Sequence, residues 1–182
     1  MKKSILFALK AWPILTIATL LVSFLTQAIC SLCGFDIPEQ MQTQEVRNLL
    51  LNTPHNLEQL ISYVINVTAI IMQVSIFAPL LEETIFRLPT RLAWNRTWLW
   101  VPVALFFAAF FCFAHYPDYL LLFKEHILKL RPLDTAFIGL FIFGLGQCYI
   151  YRKSRSLFCC MLVHGLFNFT SLVLLCILPQ SV

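Results

Sequence analysis

Apolar stretches of about 20 residues recur along the chain, and this length suits an α-helix that crosses the hydrocarbon core of a bilayer. They lie at residues 11–30, 60–81, 102–115, 135–151 and 157–178. The composition agrees, because 59% of the 182 residues are hydrophobic, only 12% are charged and the mean hydropathy is +0.79. Soluble domains are less apolar and carry about twice that share of charge. The sequence therefore predicts an all-α fold, a polytopic transmembrane helical bundle of about five to six spans.

The chain is expected to form a single integral membrane domain over residues 1–182. Residues 1–58 would provide a first span and a polar loop with a short surface helix, and residues 59–178 a core. Lys and Arg residues cluster before residue 11, at 87–96 and at 152–155. Because cytoplasmic loops carry an excess of these residues, we expect a multi-pass protein of the cytoplasmic membrane with a cytoplasmic N-terminus.

Two prolines shape the long apolar segment at 60–91. Pro79 lacks a backbone N–H and should kink the helix near Ser75, and Pro89 should bend or end it. Trp94, Trp98 and Trp100 then predict an interfacial aromatic belt. The next span is accordingly expected to begin near Pro102, because proline suits the first position of a helix.

Three charged residues follow the apolar run that ends at Leu81. A charged group inside a membrane span is costly and is by default a candidate functional residue. Glu83 and Arg87 have the i, i+4 spacing of an ion pair on one helical face. Glu82 lies about 100° away on the helix and has no partner there. Its carboxylate is therefore the one available for chemistry.

Two further apolar helices carry polar side chains at a similar depth. His115 ends the third apolar stretch, and His164 and Asn168 lie four residues apart in the last one. With a rise of about 1.5 Å per residue, Glu82 and His164 each lie roughly 13 Å from the basic residues at one end of their helices, and His115 lies somewhat deeper. These side chains are therefore expected to converge on a shared polar cavity.

The cysteines and glycines have plainer interpretations. Cys30 and Cys33 form a single C-x-x-C, and without a second one a metal site is disfavoured. The cysteines inside apolar runs are expected to be small buried hydrophobes; these are Cys112, Cys148, Cys159, Cys160 and Cys176. Gly144 and Gly146 are expected to allow close helix contact.

The polar motifs, taken in order, resemble those of a known family. E-E-T-I-F-R at 82–87, F-C-F-A-H at 111–115 and H-G-L-F-N at 164–168 are similar to the E-E-x-x-x-R, F-x-x-x-H and H-x-x-x-N motifs of the CAAX protease and bacteriocin-processing family. This family contains glutamate-dependent intramembrane endopeptidases, including the type II CAAX prenyl endopeptidases. The resemblance covers roughly residues 75–169. It departs at Leu88, where many bacterial members have glycine.

The resemblance implies a role for each motif residue. Glu82 with His115 would activate the water that attacks the scissile carbonyl. His164 and Asn168 would donate hydrogen bonds to the oxyanion, and Arg87 would hold Glu83. On this hypothesis the catalytic residues are Glu82, Glu83, His115, His164 and Asn168, and the orienting residues are Arg87 and Phe111. The substrate would be a membrane-associated peptide of the prenylated or leader type, with no cofactor.

Two alternatives use the same residues. Glu82, His115 and His164 could bind zinc with water as a fourth ligand, as in a metalloendopeptidase, although no H-E-x-x-H is present. The protein could instead be a non-catalytic carrier or immunity factor, since intramembrane Glu and His also form proton relays. The expected partners are the lipid bilayer and a peptide substrate. Nucleic acid is not expected, because no basic run is interleaved with aromatic residues.

Overall fold

A computed structural model describes residues 2–34, 41–115 and 135–177. Every regular element within these ranges is helical, which confirms the all-α prediction. The α-helices are α1 (Lys2–Leu32), α2 (Met41–Leu51), α3 (Leu57–Met72), α4 (Ala78–Arg87), α5 (Thr97–His115), α6 (Thr135–Ser154) and α7 (Leu157–Ile177). A π-helical segment, Gln73–Phe77, joins α3 to α4, and a 3-10 helix, Leu88–Ala93, follows α4.

Four helical stretches of the described ranges are long and apolar enough to cross a membrane. They are Lys3–Leu32, Leu57–Ala93, Thr97–His115 and Leu157–Ile177. Helix α6 has 20 residues, is not among these four, and packs against α1, α5 and α7. These apolar helices form a helical bundle of an integral membrane protein. The side of the membrane on which the N-terminus lies remains a prediction.

The long apolar segment consists of four helical pieces, and it departs from a regular α-helix near the positions of its prolines. The π-helical segment contains Ser75, where the kink was expected, and Pro79 lies at the start of α4. Pro89 lies in the 3-10 helix that follows. At the other end, the side chain of Asn56 caps α3 by accepting a hydrogen bond from the amide of Gln59 at 2.8 Å. The expected surface helix is present as α2.

The predicted start of the third span was wrong. Helix α5 begins at Thr97, because the carbonyl of Arg96 already accepts hydrogen bonds from the amides of Leu99 and Trp100. Pro102 therefore lies inside the helix, where membrane helices tolerate proline more often than soluble ones. A continuation of this span beyond Pro117 lies outside the described residues.

The three tryptophans differ in exposure, and their placement in an interfacial belt stays a prediction. Trp98 is 72% exposed, but Trp94 and Trp100 are partly buried against arginines of another segment. The guanidinium of Arg155 lies 4.1 Å from the centre of the Trp94 ring, and that of Arg152 lies 4.6 Å from the Trp100 ring. These contacts bring the basic clusters at 91–96 and 152–155 to one end of the bundle.

Small residues allow the close helix packing that the sequence predicts. A side chain at Gly144 would meet the backbone of Ala108 on α5, and one at Gly146 would meet Leu15 on α1. All seven cysteines lie in described ranges and are free thiols, so Cys30 and Cys33 are not joined. Four of the five cysteines expected to be buried are buried. The fifth, Cys176, is exposed near the end of α7, where the prediction was wrong.

Candidate active site

The carboxylate of Glu83 organises the polar centre of the bundle. It is fully buried, and it accepts hydrogen bonds from Nε of Arg87 at 3.0 Å and from Nδ1 of His164 at 2.7 Å. An ionised carboxylate can only accept, so the Nδ1 atom of His164 carries the proton of this bond. The bond therefore fixes the His164 ring and turns its Nε2 atom toward Glu82.

Arg87 completes a buried ion pair. Its side chain has no exposure, and its guanidinium lies 4.8 Å from the centre of the Phe111 ring and 4.0 Å from the sulfur of Cys148. Burial of a single charge in such surroundings would cost several kcal/mol. The predicted i, i+4 pair between Arg87 and Glu83 is thus present, and it links α4 to α5 and α6 beneath the polar centre.

Glu82 lies between two imidazoles. Its Oε2 atom is 3.7 Å from Nε2 of His115 and 3.6 Å from Nε2 of His164, beyond ordinary hydrogen-bond distance. This oxygen is buried and has no hydrogen-bond partner among the described residues, while the side chain as a whole is 24% exposed. A buried acceptor without a partner calls for a water molecule or a polar group of a ligand. Three helices therefore converge on this oxygen, as the sequence predicts.

His115 reaches this centre from the last residue of α5. Its Nδ1 atom lies 2.9 Å from the carbonyl of Phe111. A carbonyl can only accept, so Nδ1 donates and Nε2 faces Glu82. The centre of the Phe111 ring is 4.4 Å from that of His115 and 5.9 Å from that of His164. Phe111 therefore lies against both imidazoles and Arg87, and its orienting role stays a prediction.

Asn168 contacts the backbone of the segment that precedes α4. Its Nδ2 atom donates to the carbonyl of Val74, in the π-helical segment, at 2.9 Å. The bond uses one of the two amide hydrogens. The expected donation from Asn168 to an oxyanion stays a prediction.

Sequence reasoning missed two side chains that shape the site. Phe143 on α6 is fully buried, and its ring centre lies 4.9 Å from that of His164. Cys148, also on α6, contacts Arg87. Neither residue belongs to the three polar motifs, and Cys148 was expected only to be a small buried hydrophobe. No local pattern distinguished them from ordinary core residues.

The last helix approaches the kinked helix most closely at Gly165. A Cβ atom at this position would collide with the carbonyl oxygen of Ser75, which is backbone and cannot turn aside. At Gly139, by contrast, a Cβ would meet mainly the hydroxyl of Ser23, which can adopt another rotamer. Gly165 is therefore a position where even one methyl group forces two helices apart.

We expect Gly165→Ala to lower the free energy of unfolding by about 1–3 kcal/mol, the usual cost of overpacking. Gly139→Ala is the matched control, a glycine-to-alanine change within the same bundle, and should cost less than about 1 kcal/mol. Thermal unfolding of the purified proteins in one detergent measures both. Equal stability of the two variants would contradict the close approach of Gly165 to Ser75.

The described residues contain no arrangement that supports the zinc alternative. No three or more His, Cys, Asp or Glu side chains in those ranges are grouped so that they could hold a metal ion. The metalloendopeptidase interpretation therefore gains no support from the geometry of the site.

Fold and site together define a helical membrane protein in which three helices bring an acid and two imidazoles together. The model of the family described as type II CAAX prenyl endopeptidase Rce1-like matches residues 64–170. The chain belongs to this family, a conclusion that confirms the resemblance of its motifs, and this places it in general among CAAX-type intramembrane proteases. Searches of curated proteins and of solved structures find no match to the chain.

Proposed function

We propose that the protein is an intramembrane endopeptidase in which Glu82 activates a water molecule to cleave a peptide bond. The observation that carries this proposal is the Oε2 atom of Glu82, which is buried, lacks a hydrogen-bond partner among the described residues and faces two imidazole nitrogens. A general base must lie within reach of the proton that it removes. A water bound at this oxygen meets that condition.

Glu82 is proposed to carry both proton transfers of the reaction. Glu82 removes a proton from the water as the resulting hydroxide attacks the scissile carbonyl. The Nε2 atom of His115 accepts a hydrogen bond from the other O–H of the water and so orients the nucleophile. When the tetrahedral intermediate collapses, the protonated Glu82 transfers its proton to the leaving amine, which restores the carboxylate. One base that later acts as an acid is sufficient for hydrolysis.

His164 is positioned to stabilise the negative charge that develops on the carbonyl oxygen. In its imidazolium form it donates from Nε2 to this oxygen, while its Nδ1 bond to Glu83 compensates the positive charge. Preorganised donors of this kind contribute about 3–4 kcal/mol to transition-state stabilisation in other enzymes. The second amide hydrogen of Asn168 is the further donor that the family motif implies.

The proposed substrate is a peptide held at the membrane by a lipid anchor, either a prenylated C-terminal peptide or a leader peptide. Two features support this class. The family is described by its action on prenylated CAAX sequences, and Glu82 lies within the apolar stretch Leu57–Ala93. A peptide attached to the bilayer reaches such a depth more readily than a soluble one.

Purified protein in lipid nanodiscs is expected to cleave a quenched fluorescent farnesylated CAAX peptide at an unchanged rate after treatment with a strong zinc chelator. The same peptide without its farnesyl group is the control for the substrate class, and we expect its kcat/KM to be at least about 10-fold lower. Loss of cleavage on chelation, with recovery on addition of zinc, would establish the zinc alternative. Failure to cleave either peptide or a leader peptide would favour the non-catalytic alternative.

A further inference from the structure

The π-helical segment before Glu82 leaves the carbonyl of Val74 without a helical donor. Within this segment the amide of Ala78 donates to the carbonyl of Gln73, five residues earlier. The corresponding donor for the carbonyl of Val74 would be residue 79. Residue 79 is proline, which has no backbone N–H. The carbonyl of Val74 therefore needs a hydrogen bond from outside its own helix.

Asn168 provides that hydrogen bond. Its Nδ2 atom lies 2.9 Å from the carbonyl oxygen of Val74, although the two residues are 94 positions apart in the chain. The side chain thus replaces the amide hydrogen that Pro79 lacks. In the apolar interior of a membrane protein an unsatisfied carbonyl would cost several kcal/mol, so this replacement has a large effect on which backbone conformation is stable.

A second contact fixes the same segment independently. Gly165, three residues before Asn168 on α7, lies against the carbonyl of Ser75, and any larger residue there would collide with it. Positions i and i+3 share one face of a helix. Two residues on one face of α7 therefore contact adjacent carbonyls of the π-helical segment. Gly165 allows close approach to the carbonyl of Ser75, and Asn168 donates a hydrogen bond to the carbonyl of Val74.

The conformation of this segment decides where Glu82 points. A π-bulge is equivalent to one extra residue in an α-helix. Its loss would rotate the following helix by about 100° relative to α3. Glu82 and Glu83 lie in that following helix, α4. Such a rotation would take both carboxylates away from His164.

We propose that Asn168 is a positioning residue: its amide takes the place of the missing N–H of Pro79, holds the π-helical segment before α4, and so sets the direction of Glu82. This role differs from donation to the oxyanion, because it acts on the backbone of the enzyme and precedes substrate binding. This positioning role deepens the proposed function. Its test by kcat rests on that function, whereas its test by Tm does not.

A double-mutant cycle between Asn168 and Pro79 tests this role. Asn168→Leu removes the donor, and Pro79→Ala returns an N–H to the backbone opposite Val74. We expect Asn168→Leu to lower Tm by about 3–8 °C in the wild-type background. In the Pro79→Ala background the same substitution should lower Tm by less than half that amount, because the restored amide can satisfy the carbonyl. Equal decreases in both backgrounds would overturn the proposal.

The kinetic readout separates the positioning role from a purely structural one. Asn168→Leu is expected to lower kcat about 10- to 100-fold with KM within about twofold, since a small displacement of a catalytic group is costly. Combination with Pro79→Ala should recover at least about threefold of the lost kcat. A kcat that stays at the Asn168→Leu value in the double variant would assign the kinetic effect of Asn168 to the oxyanion alone and overturn the positioning role.

The controls keep both readouts interpretable. Asn66→Leu removes an amide from an exposed site on α3, where it donates a 3.4 Å hydrogen bond to Ser62, and should leave kcat and Tm unchanged. If the Asn168→Leu protein does not accumulate, Asn168→Ala replaces it in the double-mutant cycle with Pro79→Ala. The Tm cycle needs no substrate. If the wild-type protein cleaves no peptide, the proposed function is wrong. The Tm measurements would still test whether Asn168 holds the π-helical segment.

Discussion

Replacement of Glu82 by Gln is expected to lower kcat for peptide cleavage about 10³-fold, within the range that general bases contribute. Glutamine has nearly the same size and can still hold a water molecule, but it cannot accept a proton. Because Glu82 makes no hydrogen bond through Oε2 within the described part of the chain, the substitution should change Tm by less than about 3 °C. Rates with the farnesylated peptide and thermal unfolding provide the two measurements.

Glu58→Gln is the matched control for this variant. Glu58 lies in the first turn of α3, in the same candidate span but at its opposite end. The control should retain wild-type kcat, since no proposed step involves that end. A Glu82→Gln protein with a kcat within about threefold of wild type would show that another group removes the proton. That outcome would contradict the assignment of Glu82 as the general base.

Arg87→Leu is expected to destabilise the protein by about 3–5 kcal/mol, because it leaves the buried carboxylate of Glu83 without its cation. This is a large part of the roughly 5–15 kcal/mol that stabilises a typical folded protein. We therefore expect the variant to accumulate poorly in membranes. Simultaneous replacement of Glu83 and Arg87 by Leu should recover much of the stability, because it removes both charges, but not the activity. Chemical unfolding in detergent and the amount of folded protein measure these effects.

Arg91→Leu is the control for a basic residue on the same helical segment. Arg91 is exposed, and its guanidinium lies 5.8 Å from the centre of the Trp94 ring. Loss of this exposed contact should cost no more than about 1 kcal/mol. If Arg87→Leu were as stable as Arg91→Leu, the ion pair at the centre of the site would be absent from the folded protein.

The sequence could predict that Glu82, His115 and His164 lie close together, because ionisable side chains are costly in membrane helices and therefore indicate a shared polar site. Few residues other than Glu82, His115 and His164 interrupt the apolar helices with ionisable side chains, and the rise of a helix gives their depth. The pairing of Glu83 with Arg87 followed from the i, i+4 spacing alone. These features depend on local geometry and on the cost of burying charge, both of which a sequence contains.

The features that were wrong or missed depend on contacts between distant segments. The start of α5 at Thr97 follows from backbone hydrogen bonds of Arg96, which composition does not reveal. Phe143 and Cys148 gain their importance only from the packing of α6 against Arg87 and His164. The kink at Pro79 was predictable, but its form was not. Whether a helix closes such a break with a bend or a π-bulge depends on which donor another helix offers.

The first helix is a further element that local patterns could not place. It lies outside residues 64–170, which match the family model, yet it packs against both α6 and α7. Ala8, Leu15, Thr16 and Thr19 are buried in this contact region. The core of the bundle therefore includes α1 as well as the helices that carry the motifs.

A density map of the wild-type protein in a nanodisc, at a resolution that shows ordered water, tests the central claim most directly. The account predicts a water within hydrogen-bond distance of Oε2 of Glu82 and next to the Nε2 atom of His115 or His164. A map in which Glu82 turns away from both imidazoles, or donates or accepts its hydrogen bonds only within the protein, would contradict it.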